Sequence, residues 1–324
     1  MVLSIVGHPV DMQTGAQARF NSPVGTDSYA PRVPSVLIVF NPTAGRRRAT
    51  LLWRVLDVLV ANGVRVDLME TARAGHAEDL AREAAVRGEK LVVAAGGDGT
   101  IAEVANGLMG SATDLGVIPL GTANVLAHEL NLPFAPRAVA AALAFGRTQS
   151  IWPGIASQGG AHRLFVQMLG AGFDAHIVHT LPLPLKRILG RGAYVVQTLR
   201  QSMQYDCTPI LLRLDGTDTQ AASVIVSKGR LYGGKYLLAP DADPGQPGFS
   251  VVLFDRAGPG FALLYGAMLP LHRLGRAPGV RHIRANRVEF VGNSPVPVQT
   301  DGDKAGFTRM TIADAPGPIQ VVMG

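Results

Sequence analysis

Leu91-Val92-Val93-Ala94-Ala95-Gly96-Gly97-Asp98-Gly99-Thr100 is the stretch on which the fold turns. Five apolar residues in a row, stopped by glycine, read as a strand buried on both faces. Gly96, Gly97 and Gly99 free the backbone to wrap a phosphate, and the helix that follows turns its N-terminal dipole toward negative charge. Two other stretches repeat the arrangement. Val36–Phe40 runs into Asn41-Pro42-Thr43-Ala44-Gly45, and Leu115–Leu120 runs into Gly121-Thr122-Ala123-Asn124. Three strand ends in one parallel sheet bring their loops to the same edge, where ligands bind in open α/β folds. The combination points to a polyphosphate site, most simply a nucleotide.

Outward from these loops, strand and helix alternate. A helical face at Leu51, Leu52, Val55, Leu56, Leu59 and Val60 follows the first strand. Gly63–Glu70 reads as the next strand, His76–Arg87 as a helix, Thr100–Leu108 as a helix with Asp98 or Thr100 as a cap, and Pro136–Phe145 as the closing helix. Repeated strand–helix units imply a parallel sheet covered on both faces. After about residue 147 the segments become β-rich, as at Arg163–Leu169, Pro209–Leu214, Ala222–Ser227, Phe249–Phe254 and Val288–Val291. Turns such as Asp215-Gly216 separate them, which predicts a mostly antiparallel second unit. Helical inserts are expected at Leu185–Met203 and Gly260–Arg273. Residues 1–34 lack periodicity and read as a loose tail, so the expected division is 1–34, 35–147 and 148–310.

Composition excludes several classes. The chain has 324 residues, 47% hydrophobic and 17% charged, enough apolar content for a core and unlike disorder. A net charge of +6 and a pI near 9.8 favour phosphates, nucleic acid or an anionic membrane face. Aromatics are only 6% and do not interleave with basic residues, so nucleic acid is not expected as a partner. Cys207 is the sole cysteine, which excludes an intrachain disulfide and suits a reducing cytosol. No apolar run reaches the roughly 18 residues of a spanning helix. The expected location is cytoplasmic, with attachment to the inner face of the membrane as a peripheral contact.

Asp98 would repel an anion, so its place within a glycine loop suggests a Mg²⁺ shell or a proton acceptor. The loops are neither a Walker A motif nor a GxGxxG fingerprint. Their order has another match. Asn41-Pro42-Thr43-Ala44-Gly45, Thr71 with Gly75-His76-Ala77, Gly96-Gly97-Asp98-Gly99-Thr100 and Pro119-Leu120-Gly121-Thr122-Ala123-Asn124 resemble the catalytic domain of diacylglycerol kinases, sphingosine kinases and bacterial lipid kinases. The likeness continues through Gly172-Phe173-Asp174-Ala175, Leu238-Ala239-Pro240-Asp241-Ala242 and Gln299-Thr300-Asp301-Gly302-Asp303.

The resemblance implies a nucleotide-binding α/β domain of the NAD kinase/diacylglycerol kinase type, a β-sandwich domain, a cleft between them, and a chain end, 311–324, that returns to the first domain. It implies ATP held by Asn41, Gly45, Thr71, Gly96, Gly97, Asp98, Gly99, Thr100, Gly121, Thr122 and Asn124, and Mg²⁺ organised by Asp98. It places Asp174 near the lipid acceptor and a carboxylate of Asp301-Gly302-Asp303 in the cleft as proton acceptor. The family's usual third residue there is Glu, so Asp303 is one methylene short. Asp301, Asp303 and Asp98 all stay open as the base, with the late motif favoured. The loop Asp243-Pro244-Gly245-Gln246-Pro247-Gly248 lacks the Asp-Gly pair of a structural Mg²⁺ site found in relatives, and that site is not expected. The implied activity is phosphoryl transfer from ATP to a lipid hydroxyl, diacylglycerol-like or sphingoid. Alternatives are a NAD kinase-like enzyme and a non-catalytic nucleotide or lipid sensor. Leu181–Leu189 and Phe261–Arg273 mix apolar and basic residues and are candidates for an anionic bilayer or an acyl pocket. The expected partners are the lipid and, peripherally, a membrane surface, with a homodimer left open as the assembly.

Overall fold

The strand Ser35–Phe40 shows why these apolar runs are unbroken. In the computed structural model, which describes residues 2–5, 35–44, 49–180 and 208–324, Leu37 and Val39 face one helical layer while Val36, Ile38 and Phe40 face the other. The strand is covered on both sides, so both of its faces must be apolar. Leu91–Gly96 repeats the division, with Val92 and Ala94 on one side and Val93 and Ala95 on the other.

Among the described residues the first sheet has seven strands. Their order is β1 (Val2–Ile5), β3 (Arg65–Glu70), β2 (Ser35–Phe40), β4 (Leu91–Gly96), β5 (Asp114–Pro119), β21 (Ile319–Val322) and β6 (Thr148–Ile151). The neighbouring pairs from β3 through β21 are parallel, and the two outer strands pair antiparallel. Helices α1 (Ala49–Ala61) and α5 (Pro136–Phe145) cover one face, and α2 (His76–Val86) and α3 (Asp98–Leu108) the other. The short α4 (Val125–Glu129) follows the third glycine loop.

Two six-stranded antiparallel sheets stack in the second unit. One runs β11 (Thr217–Ala221), β10 (Ile210–Leu214), β17 (Val288–Phe290), β20 (Thr311–Asp314), β7 (Gly154–Gln158), β8 (Ala161–Phe165). The other runs β16 (Val280–Ala285), β15 (Phe249–Phe254), β12 (Ser223–Ser227), β9 (Met168–Ala171), β18 (Pro297–Thr300), β19 (Asp303–Phe307). Alternate residues, such as Leu212, Leu214 and Ile312 against Val224, Val226, Val251 and Val298, fill the space between them. Among the described residues the unit also holds a small hairpin, β13 (Leu231–Tyr232) with β14 (Tyr236–Leu237), and the helices α6 (Phe173–Thr180) and α7 (Pro259–Met268).

Several expectations change. Val2–Ile5, assigned to a loose tail, pairs with Arg65–Glu70 as an edge strand. Thr148–Ile151, assigned to the second unit, closes the first sheet because its partner is Ile319–Val322. Of the chain end, Ile319–Val322 lies in the first sheet while Thr311–Asp314 stays in the sandwich, held between Val288–Phe290 and Gly154–Gln158. Sequence periodicity reports burial, and both destinations are buried, so it cannot tell them apart. Gly260–Arg273 is helical only as Pro259–Met268, followed by a short 3₁₀ turn at Leu274–Arg276. Gly45, the arginines 46–48, the whole apolar-basic stretch 181–189, the insert expected at 185–203 and Cys207 lie outside the described residues.

Candidate functional site

Four adjacent parallel strands end on the same edge, in the order Thr71, Asn41, Gly96 and Leu120. The Asn41 Nδ2 donates to Thr100 Oγ1 at 3.0 Å, which joins the first loop to the start of α3. Asn41 Oδ1 accepts from Thr43 N at 3.0 Å and Thr43 Oγ1 at 2.8 Å, folding its own turn. Thr71 N donates to Phe40 O at 2.8 Å, so this half-buried residue sits directly beside the Asn41 loop. A Cβ at Gly96 would strike the Thr100 side chain.

The second and third glycine loops touch. A Cβ at Gly121 would stand 2.5 Å from Gly97 Cα, and backbone cannot yield to it. Asn124, buried in the left-handed region with φ 46°, donates from Nδ2 to Gly121 O at 2.9 Å. Its Oδ1 is buried without a hydrogen-bond partner among the described residues. Thr122 is exposed at the loop tip. Helix α3 begins at Asp98 with no side-chain cap, so its first-turn N–H groups have no intrahelical acceptor. The expected cap role of Asp98 or Thr100 on that helix is corrected. Asp98 instead turns toward α4 and accepts from Leu126 N at 3.4 Å. Burial pushes the Asp98 carboxyl above its ordinary range, against the lowering effect of backbone N–H groups from 124–126.

The second unit brings its acids to this edge through one hairpin. Asp301 and Gly302, with φ 48° and 88°, form the turn between β18 and β19. That is a left-handed two-residue turn of the kind that fits strand twist. The Asp301 carboxylate accepts from Val166 N at 2.7 Å and from Gln167 N and Met168 N, each at 2.9 Å. Burial raises its pKa to about 7, with the nearby Asp98 charge adding in the same direction. Asp303 is exposed and reaches the first unit. A Cβ at Gly99 would lie 2.6 Å from Asp303 Oδ2. The three carboxylates left open by the sequence therefore share one place, with different surroundings.

Asp174, at the start of α6, receives the Tyr232 hydroxyl and, at 2.8 Å, Gln299 Nε2. The same Gln299 accepts from Gly302 N through Oε1 at 2.7 Å, so one buried amide connects Asp174 to the acidic turn. Sequence reasoning quoted Gln299 within a motif without giving it a role and missed Tyr232. Tyr232 belongs to the two-residue strand before Gly233-Gly234, a pair that signals a turn. That hairpin also crosses the seam. Glu129, almost fully buried on α4, accepts from Arg230 Nε and from Leu231 N, both at 2.8 Å.

Comparisons with known proteins identify the family and the fold. Residues 35–154 match the diacylglycerol kinase catalytic domain, and residues 167–323 match the YegS C-terminal NAD kinase beta sandwich-like domain. The protein named "probable lipid kinase YegS-like" of Chromohalobacter salexigens is 30% identical over 257 residues, 77% of this chain and 81% of that one. The chain belongs to the diacylglycerol kinase family. A diacylglycerol kinase of Bacillus subtilis is 29% identical over 292 residues, 88% of this chain and 95% of its own. The crystal structure of a diacylglycerol kinase from Bacillus anthracis has the same fold, with a TM-score of 0.67 at 20% identity, covering 90% of this chain and 97% of that one. Family membership makes this protein a kinase of the lipid-kinase type.

Proposed function

We propose that this diacylglycerol kinase family member transfers the γ-phosphoryl group of ATP to the hydroxyl of a lipid, diacylglycerol-like or sphingoid. The observation that carries the reading is the contact between Asp303 and Gly99. It sets an exposed carboxylate of the sandwich over the helix N-terminus that follows the glycine loop. A helix start with free N–H groups suits the anionic end of a nucleotide, and the unpartnered Asn124 Oδ1 offers an acceptor within the same loops.

Phosphoryl transfer needs alignment of donor and acceptor, stabilisation of charge on the moving group, and removal of the alcohol's proton. The loops at Asn41, Thr71, Gly96–Thr100 and Gly121–Asn124 would hold the nucleotide. Among the described residues no three His, Cys, Asp or Glu side chains cluster as a metal site. The fit is to a Mg²⁺ that arrives on the phosphates and takes one or two carboxylates, with Asp98 best placed. When bound, that ion would offset charge on the phosphate oxygens. Asp303 would accept the acceptor's proton, since it is exposed toward the loop, whereas Asp301 is committed to three backbone N–H groups. Asp174, oriented by Tyr232 and Gln299, would meet the polar end of the lipid.

The test is incubation of the purified protein with Mg²⁺-ATP and a panel of diacylglycerols, monoacylglycerols, sphingoid bases, ceramide and NAD. A phosphorylated lipid is the expected product. Phosphorylation of NAD alone would select the NAD kinase-like reading, and ATP binding without transfer would select a sensor.

A further inference from the structure

Helix α7 is apolar throughout its ten residues, carries no charged residue, and has none fully buried. Tyr265, Met268 and Leu269 turn inward onto a cluster with Leu238, Ala239 and Leu274, and Tyr232 packs on that same cluster. Outward stand Leu263, 57% exposed, and Leu271 just beyond the helix, 65% exposed. The inner layer thus touches the tyrosine that binds Asp174, which puts the outer face beside the acceptor end of the cleft.

The chain segment that carries this face is basic, although Asp255, just before it, lies close enough to Tyr265 to act on its hydroxyl. From Arg256 to Val288 the chain holds Arg256, Arg273, Arg276, Arg281, Arg284 and Arg287 with no Asp or Glu. Arg281 and Arg287 are spent on Asp255 and Glu289. Arg273 and Arg276 are exposed and form no ion pair among the described residues. Exposed leucines followed closely in the chain by two exposed arginines match an apolar interior beneath anionic headgroups. A second copy fits poorly, because a two-fold contact would set these arginines against each other.

We infer that the outer face of α7, with Leu263, Leu271, Arg273 and Arg276, docks on an anionic bilayer and presents the cleft to lipid in that layer. It rests on the proposed lipid-kinase reading for what the bilayer supplies. The test is flotation of the full chain, without nucleotide, on vesicles of phosphatidylcholine alone or with phosphatidylglycerol. The wild type is expected to float with the anionic vesicles only. Arg273→Ala with Arg276→Ala should lower partitioning about 25-fold, at roughly fivefold per basic residue. Leu263→Asp with Leu271→Asp should abolish it, with unchanged thermal unfolding because both residues are exposed. Undiminished flotation of both variants would overturn the inference. So would a wild-type dimer in sedimentation that the Leu263→Asp, Leu271→Asp pair dissolves. Phosphorylation of a short-chain, monomeric diacylglycerol separates the two readings. Transfer without flotation overturns docking alone, and flotation without transfer to any lipid overturns the kinase reading alone.

Discussion

Two hairpins of the sandwich turn on the same dipeptide. Asp215-Gly216 joins β10 to β11 with φ 45° and 88°, and Asp301-Gly302 joins β18 to β19 with φ 48° and 88°. Each Asp carboxylate accepts backbone N–H groups of a neighbouring segment: Asn286 and Arg287 in the first case, residues 166–168 in the second. Each Asp N–H returns a bond to that segment, at 3.1 Å to Arg287 O and 2.9 Å to Met168 O. Locally they are one device. The first lies exposed, whereas the second is half-buried, with the Asp98 charge near it and Asp303 beyond it reaching Gly99. Chain chemistry made the turn twice, and only its address made one of them a candidate for catalysis.

The sharpest way to break this comparison is at the residue after each turn. Asp303→Asn should lower kcat by about 10²–10⁴-fold with the KM for ATP little changed, as for loss of a general base. Thr217→Asn, its exposed counterpart, should leave turnover at the wild-type level. Steady-state kinetics with the acceptor found in the panel measure both, and near-normal turnover of Asp303→Asn would return the two turns to equivalence.

Next in size is the contact across the units. Gly99→Ala adds a Cβ 2.6 Å from Asp303 Oδ2, which must swing away. A loss of roughly tenfold or more in kcat/KM is expected, since a small misplacement of a reacting group is costly. In an Asp303→Ala background the same substitution should cost little. A double-mutant cycle reads that coupling, and additive effects would show that the contact carries no function.

Stability separates the turns more gently. Removing the acceptor in Asp215→Ala should cost about 1 kcal/mol, while Asp301→Ala leaves three N–H groups unanswered in a drier place and should cost about 3 kcal/mol. Denaturant unfolding reports both. The smallest effect is a titration. The Asp301 pKa is raised from 3.8 to about 7, so the folded state holds its proton more tightly than the unfolded chain. Its contribution to stability is complete below about pH 4 and is lost as pH rises through 7. Carboxyl NMR should place the Asp301 midpoint near 7 and show it falling in Asp98→Asn, where a like charge is gone.

The sequence by itself determined the nucleotide-side architecture. Val36–Phe40 and Leu91–Ala95 are apolar without interruption because both faces of those strands are covered, and glycines mark where backbone must approach backbone, as Gly97 does at Gly121. Those signals are local, so they survive in one dimension. The turn at Asp301-Gly302 is equally local, since an Asp-Gly pair favours a two-residue turn wherever it falls. Tertiary structure alone decided that this turn, and not Asp215-Gly216, meets Gly99, and that Gln299 ties it to Asp174. The return of the chain end was implied by the family resemblance, and tertiary structure decided its extent: Ile319–Val322 goes back beside Leu115, and Thr311–Asp314 stays in the sandwich. The reason is physical: propensity and periodicity record how a residue sits on its own strand or helix, whereas which strand ends meet depends on contacts between residues more than a hundred positions apart, and on burial that no single segment encodes.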